Sequence, residues 1–137
     1  MASPPSMNLH LDWEGGLRFS GNVGETPVQV DGDAEAAPSP VKMLAASLAA
    51  CMAIDVVHIL GKMRTPALSL GVDSRIQRAD NDPRRVVQVT MIFKVGGDVP
   101  AGNVQRALDL SRETYCSVWS SLRQDIELKT TFEVVPA

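Results

Sequence analysis

A chain of 137 residues with 45% apolar and 21% charged side chains is long enough to bury one core and has the composition of a soluble globular protein. Its net charge of −3 and pI near 5.3 argue against nucleic acid or an anionic membrane surface as the main partner. Aromatics, at 4%, are too few to fill the interior, so aliphatic side chains and alanine must do it.

The opening MASPPSMNLH has neither a basic nor an apolar segment, so no secretory signal is expected and the cytoplasm is the expected compartment. Met7 to Phe19, MNLHLDWEGGLRF, alternates apolar residues around Glu14-Gly15-Gly16 and reads as a β-hairpin. A short strand, TPVQV, precedes the loop DGDAEAAPSP. That loop superficially suggests a calcium ligand run but lacks the spacing and the closing glutamate, so a solvated loop is the expectation.

Ser39-Pro40 gives a helix start, with Ser39 as N-cap and Pro40 at the first helical position, and the helix is expected to reach about Met63. Its longest apolar run, Met43 to Ile54, is too short for a bilayer, which takes about 20 residues. The helix is apolar around most of its circumference, so burial on nearly all sides is expected. Ala45, Ala46, Ala49, Ala50 and Ala53 leave room for another backbone to come close. In so small a chain the simplest cover is a second copy, and a homodimer is expected.

Beyond Thr65-Pro66, ALSLGVDSRI and VVQVTMIFKV read as strands, the second with Val87, Val89, Met91, Phe93 and Val95 on one face. Asn81-Asp82-Pro83 supplies the turn between them. A second helix starts near Pro100, CSVWSSLRQ continues helically, and ELKTTFEVV closes the chain as a strand with Leu128, Phe132 and Val134 inward. Strands interrupted by two helical blocks indicate α+β rather than parallel α/β. With no repeat and no linker visible, residues 1–137 read as a single domain.

On the long helix, Ser47, Cys51, Asp55, His58 and Lys62 follow at spacings of four, four, three and four, one polar stripe on an apolar rod. Each has a bland reading: buried cysteine as a small hydrophobe, Asp55 and His58 as marks of where the helix emerges toward solvent. A Cys/His/Asp hydrolase triad is disfavoured, because His58 lies on the order of 10 Å along the axis from Cys51. Zinc is disfavoured too, since two cysteines and two histidines without CxxC or HxxxH spacing seldom make a site. No metal or cofactor is expected. In a reducing cytoplasm the two cysteines are catalytic, redox-active or inert rather than a structural staple.

The second cysteine, Cys116, stands in SRETYCSVWSSL between Tyr115 and Trp119, at the junction of two helical segments. Pro40 followed by LAASLAACMAIDVV and ILGKMR, together with ALDLSRETYCSV, resembles the OsmC/Ohr family of hydroperoxide-reducing proteins over nearly the whole chain. The CMAIDVV and YCSV stretches are most similar to the less characterised, YhfA-like branch. The resemblance implies an OsmC-like α+β fold: antiparallel sheets on a long buried central helix, in an intertwined homodimer with its active sites at the subunit interface. It implies a two-cysteine thiol peroxidase, with Cys51 matching the peroxide-attacking cysteine and Cys116 the resolving one. Such a thiolate becomes a sulfenic acid and condenses with the second thiol to a disulfide. An external dithiol, lipoyl-type in the family, then reduces it by exchange.

One departure bears on activity. Well-characterised family members carry a glutamate directly after the proline that opens the central helix, where it helps hold an arginine against the thiolate; here Pro40 is followed by Val41. Arg18, in GGLRFSG, is the best match to that arginine, and a solvated strand-end residue is its bland reading. Arg112 is a second candidate, and Glu113 could orient either. Lowering a thiol pKa from about 8.5 to about 6.5 requires roughly 2.7 kcal/mol. One guanidinium at ~4 Å offers about 4 kcal/mol at an effective dielectric near 20. A single arginine suffices, with little margin. The rival reading is a binding protein of the same fold for a small apolar or thiol-bearing ligand, favoured by the lost glutamate and disfavoured by retention of both cysteines. A purely structural dimer would leave both cysteine motifs unexplained.

Overall fold

The computed structural model describes residues 6–136, which fall into two compact units, one reaching to Leu44 and one beginning at Ala45. The first holds an antiparallel meander: β1 (Leu9–Gly15), β2 (Arg18–Val23) and β3 (Thr26–Asp31), in that order. The β1–β2 turn falls at Gly16-Leu17, with Gly15 and Gly16 both at positive φ, where a side chain would be strained. Register sets Leu9 opposite Val23, Trp13 opposite Phe19, and Phe19 opposite Val30, so these apolar side chains share one face. Trp13 on that face is 67% exposed.

At the end of β3, Asp31 is buried and accepts the backbone N–H groups of Asp33 (2.9 Å), Ala36 (2.9 Å) and Glu35 (3.3 Å). The acidic loop is thus folded around its own first carboxylate. The Ala36 and Asp33 N–H groups, helped by Glu35 and the Arg18 charge, hold the Asp31 carboxyl below its ordinary range against the opposing effect of burial. A depressed folded-state pKa contributes stability above the unfolded value, about 3.9, and loses it as pH falls through the folded one. Asp31→Asn is therefore expected to melt at a lower temperature than the parent at pH 7. The gap should narrow toward pH 3 in parallel thermal melts; a gap that stays constant would rule out the charge as its source.

Helix α1 spans Pro40–Lys62, with Ser39 Oγ accepting the Lys42 N–H at 3.4 Å. Leu48, Met52, Val56 and Leu60, with Ala49 and Ile59, form one buried stripe at helical spacing. Burial on nearly all sides is not met within one chain: Ile54 is 67% and Val57 50% exposed. The whole 23-residue helix is long and apolar enough to cross a membrane by length and composition. Its buried stripe belongs to the core of the second unit, which marks it as a core helix.

The second unit carries β4 (Ser69–Arg78), β5 (Val86–Gly96) and β6 (Glu127–Val135) in the order β4-β5-β6. β4 and β5 pair antiparallel across the Asn81-Asp82-Pro83 turn, but β5 and β6 pair parallel, correcting the expectation of purely antiparallel sheets. A parallel neighbour needs a crossover, and α2 (Ala101–Leu110) with the segment after it supplies one. Alternation in β5 buries Val89, Met91, Phe93 and Val95 as expected, with Val87 half-buried. Val134, expected inward, is 37% exposed near the strand end. Phe93 is fully buried, so Phe93→Ala should cost about 3–5 kcal/mol. A urea midpoint shifted by less than about 1 kcal/mol-equivalent would mean that the core collapses around the gap.

Candidate active site

The stretch after α2 does not continue as one helix. It widens into a π-helical turn, Ser111–Tyr115, whose last bond runs from the Cys116 N–H to the Ser111 carbonyl at 2.8 Å. Cys116 itself is extended (φ −74, ψ 101), and one helical turn, α3 (Ser117–Ser120), restarts after it. π-turns are uncommon and often mark functional positions. This one presents two side chains toward α1: Ser111 and Cys116, both fully buried or nearly so.

Ser111 Oγ donates to Asp55 Oδ2 at 2.8 Å, and Ser117 Oγ lies 4.0 Å from Cys51 Sγ. The two thiol sulfurs and an Asp55 oxygen all lie within 4.8 Å of one another. Cys51 is half-buried and Cys116 buried, and both are free thiols. Asp55 is thus a member of the thiol cluster rather than a mark of emergence toward solvent. His58, one turn further, is exposed.

The two thiols differ in charge preference. Burial raises the Cys51 pKa, but hydrogen bonds from the Val118 N–H, Cys116 and Ser117 outweigh it and the Asp55 charge, leaving Cys51 below the ordinary thiol value. Cys116 is pushed up to about 11, chiefly by burial; the Trp119 N–H, 3.4 Å from its sulfur, opposes this, while Cys51 and Asp55 add to it. Cys51 is the thiol that ionises first, and Cys116 remains protonated beside it.

The expected arginine activation takes a different form within this unit. Arg112 Nη1 donates to the Leu128 carbonyl at 2.7 Å, and its guanidinium lies 5.7 Å from the centroid of the Trp119 ring. It braces the Cys116–Trp119 turn, and no cation is among the leading influences on Cys51. Arg18 belongs to the N-terminal unit, where it opens β2 and lines a cavity of about 240 Å³ with Glu14, Phe19 and Asp31. Glu113 is exposed. Sequence reasoning missed Ser111, Ser117 and the Val118 and Trp119 amides. A serine five residues before Cys116 was the one available signal, but it points at the cluster only once the helix widens to a π-turn.

Residues 31–131 match the family model described as OsmC-like protein. The chain is 35% identical over 134 residues to Protein YhfA of Escherichia coli strain K12, covering 96% of this chain and all of that one. Among solved structures, a hypothetical protein from Aquifex aeolicus superposes with a TM-score of 0.89 at 22% identity, covering 98% of this chain and 99% of that one. An organic hydroperoxide resistance protein OsmC from Legionella pneumophila gives 0.73 at 13% identity, covering 97% and 100%. At such low identities these two likenesses establish the fold.

Proposed function

Since the chain belongs to the OsmC-like family, whose fold it shares with an organic hydroperoxide resistance protein, we propose that it is a cytoplasmic two-cysteine hydroperoxide reductase acting as a homodimer. The observation that carries this reading is the pairing of an easily ionised Cys51 with a protonated Cys116 in one cluster. The Cys51 thiolate attacks the distal peroxide oxygen and the O–O bond breaks. The alkoxide takes up the proton released when Cys51 ionised and leaves as the alcohol, and Cys51 becomes a sulfenic acid. The Cys116 sulfur then attacks the Cys51 sulfur; its proton and the hydroxyl leave as water, and a disulfide forms. An external dithiol of lipoyl type gives up two electrons and two protons to restore both thiols.

Three hydrogen bonds to Cys51 supply activation that the helix-opening glutamate would otherwise have supported through its arginine. Arg18 is proposed as the additional cation on the strength of its match to the family arginine. Glu14 and Asp31, its neighbours in the N-terminal cavity, would orient it in place of a carboxylate at Val41.

Treating the reduced protein with a stoichiometric organic hydroperoxide tests the reading directly. Two thiols per chain should disappear into one intramolecular disulfide, and Cys116→Ser should trap a sulfenic acid that over-oxidises with excess peroxide. If both thiols still titrate afterwards, the binding-protein reading takes its place.

A further inference from the structure

We propose that the reduced Cys51 and Cys116, together with Asp55, form a binding site for one thiophilic divalent cation of the zinc class. This goes beyond peroxide reduction and does not depend on it. Two sulfurs and one carboxylate oxygen converge within 4.8 Å, a donor set suited to a borderline-soft metal. With metal–sulfur bonds of about 2.3 Å and a metal–oxygen bond of about 2.1 Å, tetrahedral ligands stand roughly 3.5–3.8 Å apart. Closing the cluster around an ion therefore takes side-chain shifts on the order of 1 Å at most.

The surroundings resemble those of a metal site in their second layer. Ser111, fully buried, fixes the Asp55 carboxylate through its 2.8 Å hydrogen bond. The Trp119 N–H points at the Cys116 sulfur at 3.4 Å and the Val118 N–H at the Cys51 sulfur. Such amide donors stabilise thiolates without occupying the lone pairs a metal would take.

The spacing objection to zinc fails for a geometric reason. Cys51 and Asp55 stand at i and i+4 on one helix face, the spacing that helix-borne HxxxH ligands use, and the π-turn brings the third ligand from the distant Cys116. The half-buried flank at Cys51 leaves a fourth position for water or a small ligand. Binding displaces both thiol protons, and an ion held by both sulfurs closes the pair to oxidation.

Titrating the reduced full-length protein anaerobically with Co2+ tests this. A thiolate-to-cobalt charge-transfer band should grow to one equivalent per chain and be bleached by Zn2+, with proton release. Cys51→Ser and Cys116→Ser should each weaken binding by about 100-fold or more. Ser111→Ala, which removes only the supporting hydrogen bond, should weaken it about 10–100-fold. The disulfide form should bind none. Absence of the band, or an affinity unchanged in both serine variants while circular dichroism reports a native fold, would overturn the proposal. Asp55→Asn binding as tightly as the parent would overturn the three-ligand site. Thiol counting on the metal-free protein judges the peroxidase reading separately.

Discussion

At pH 8, Cys51 is expected to alkylate at least about tenfold faster than Cys116, and its rate profile should lie at lower pH than that of Cys116. The sign follows from the cluster. Cys51 lies below the ordinary thiol value because its hydrogen bonds prevail over burial, whereas Cys116, buried and beside two groups that carry negative charge, sits at about 11. At pH 8 a thiol with pKa 11 is about 0.1% ionised, and a thiol held below its ordinary value is ionised to a far larger extent. The more basic thiolate recovers about tenfold through its higher nucleophilicity, which leaves the stated ratio. Ser117→Ala, removing one of the donors to Cys51, should move its profile upward; a flat response would discount that hydrogen bond. Arg18→Ala should also raise it if Arg18 is the extra cation, while Arg112→Ala should act mainly by loosening Trp119. An unchanged profile in Arg18→Ala would remove Arg18 from the site. Loss of selectivity between the two thiols in the parent would sink the division of labour altogether.

Much of this arrangement was legible in the sequence, and what was not has identifiable causes. The helix start at Ser39-Pro40, the opening strands and the alternation of β5 follow from capping and side-chain period, which are local. The direction of β6 is not local, because a strand's sequence reads alike beside a parallel or an antiparallel neighbour. Only the intervening α2 betrays a crossover. Cys51 and Asp55 could be placed on one face by i,i+4 spacing, and the family resemblance paired Cys51 with Cys116. The role of Ser111 could not be read, because a π-turn changes which residues face α1 and leaves no periodic trace. The hydrogen bond of Arg112 could not be read for a related reason: its acceptor is a backbone carbonyl of Leu128, which carries no side-chain signature.

The second large effect concerns the uncovered apolar faces. Ile54→Asp is expected to abolish the native dimer and, with it, most of the folded protein. Within one chain Ile54 is 67% exposed, so a strictly monomeric protein should tolerate aspartate there to within about 0.5 kcal/mol. Beneath a second copy the same carboxylate would be buried without a partner and cost several kcal/mol. The two cases predict opposite results at one position, which makes the substitution decisive. Sedimentation of the parent at micromolar concentration should give twice the 14.7 kDa chain mass. The meander face offers an independent probe, since Trp13 and Phe19 pair across β1 and β2 on an open surface. Trp13→Asp should likewise lower by several degrees a thermal midpoint that, in the dimeric parent, depends on protein concentration. A folded monomeric parent whose melting ignores both substitutions would leave α1 and the meander without a second copy to cover them, and the homodimer proposal would fall.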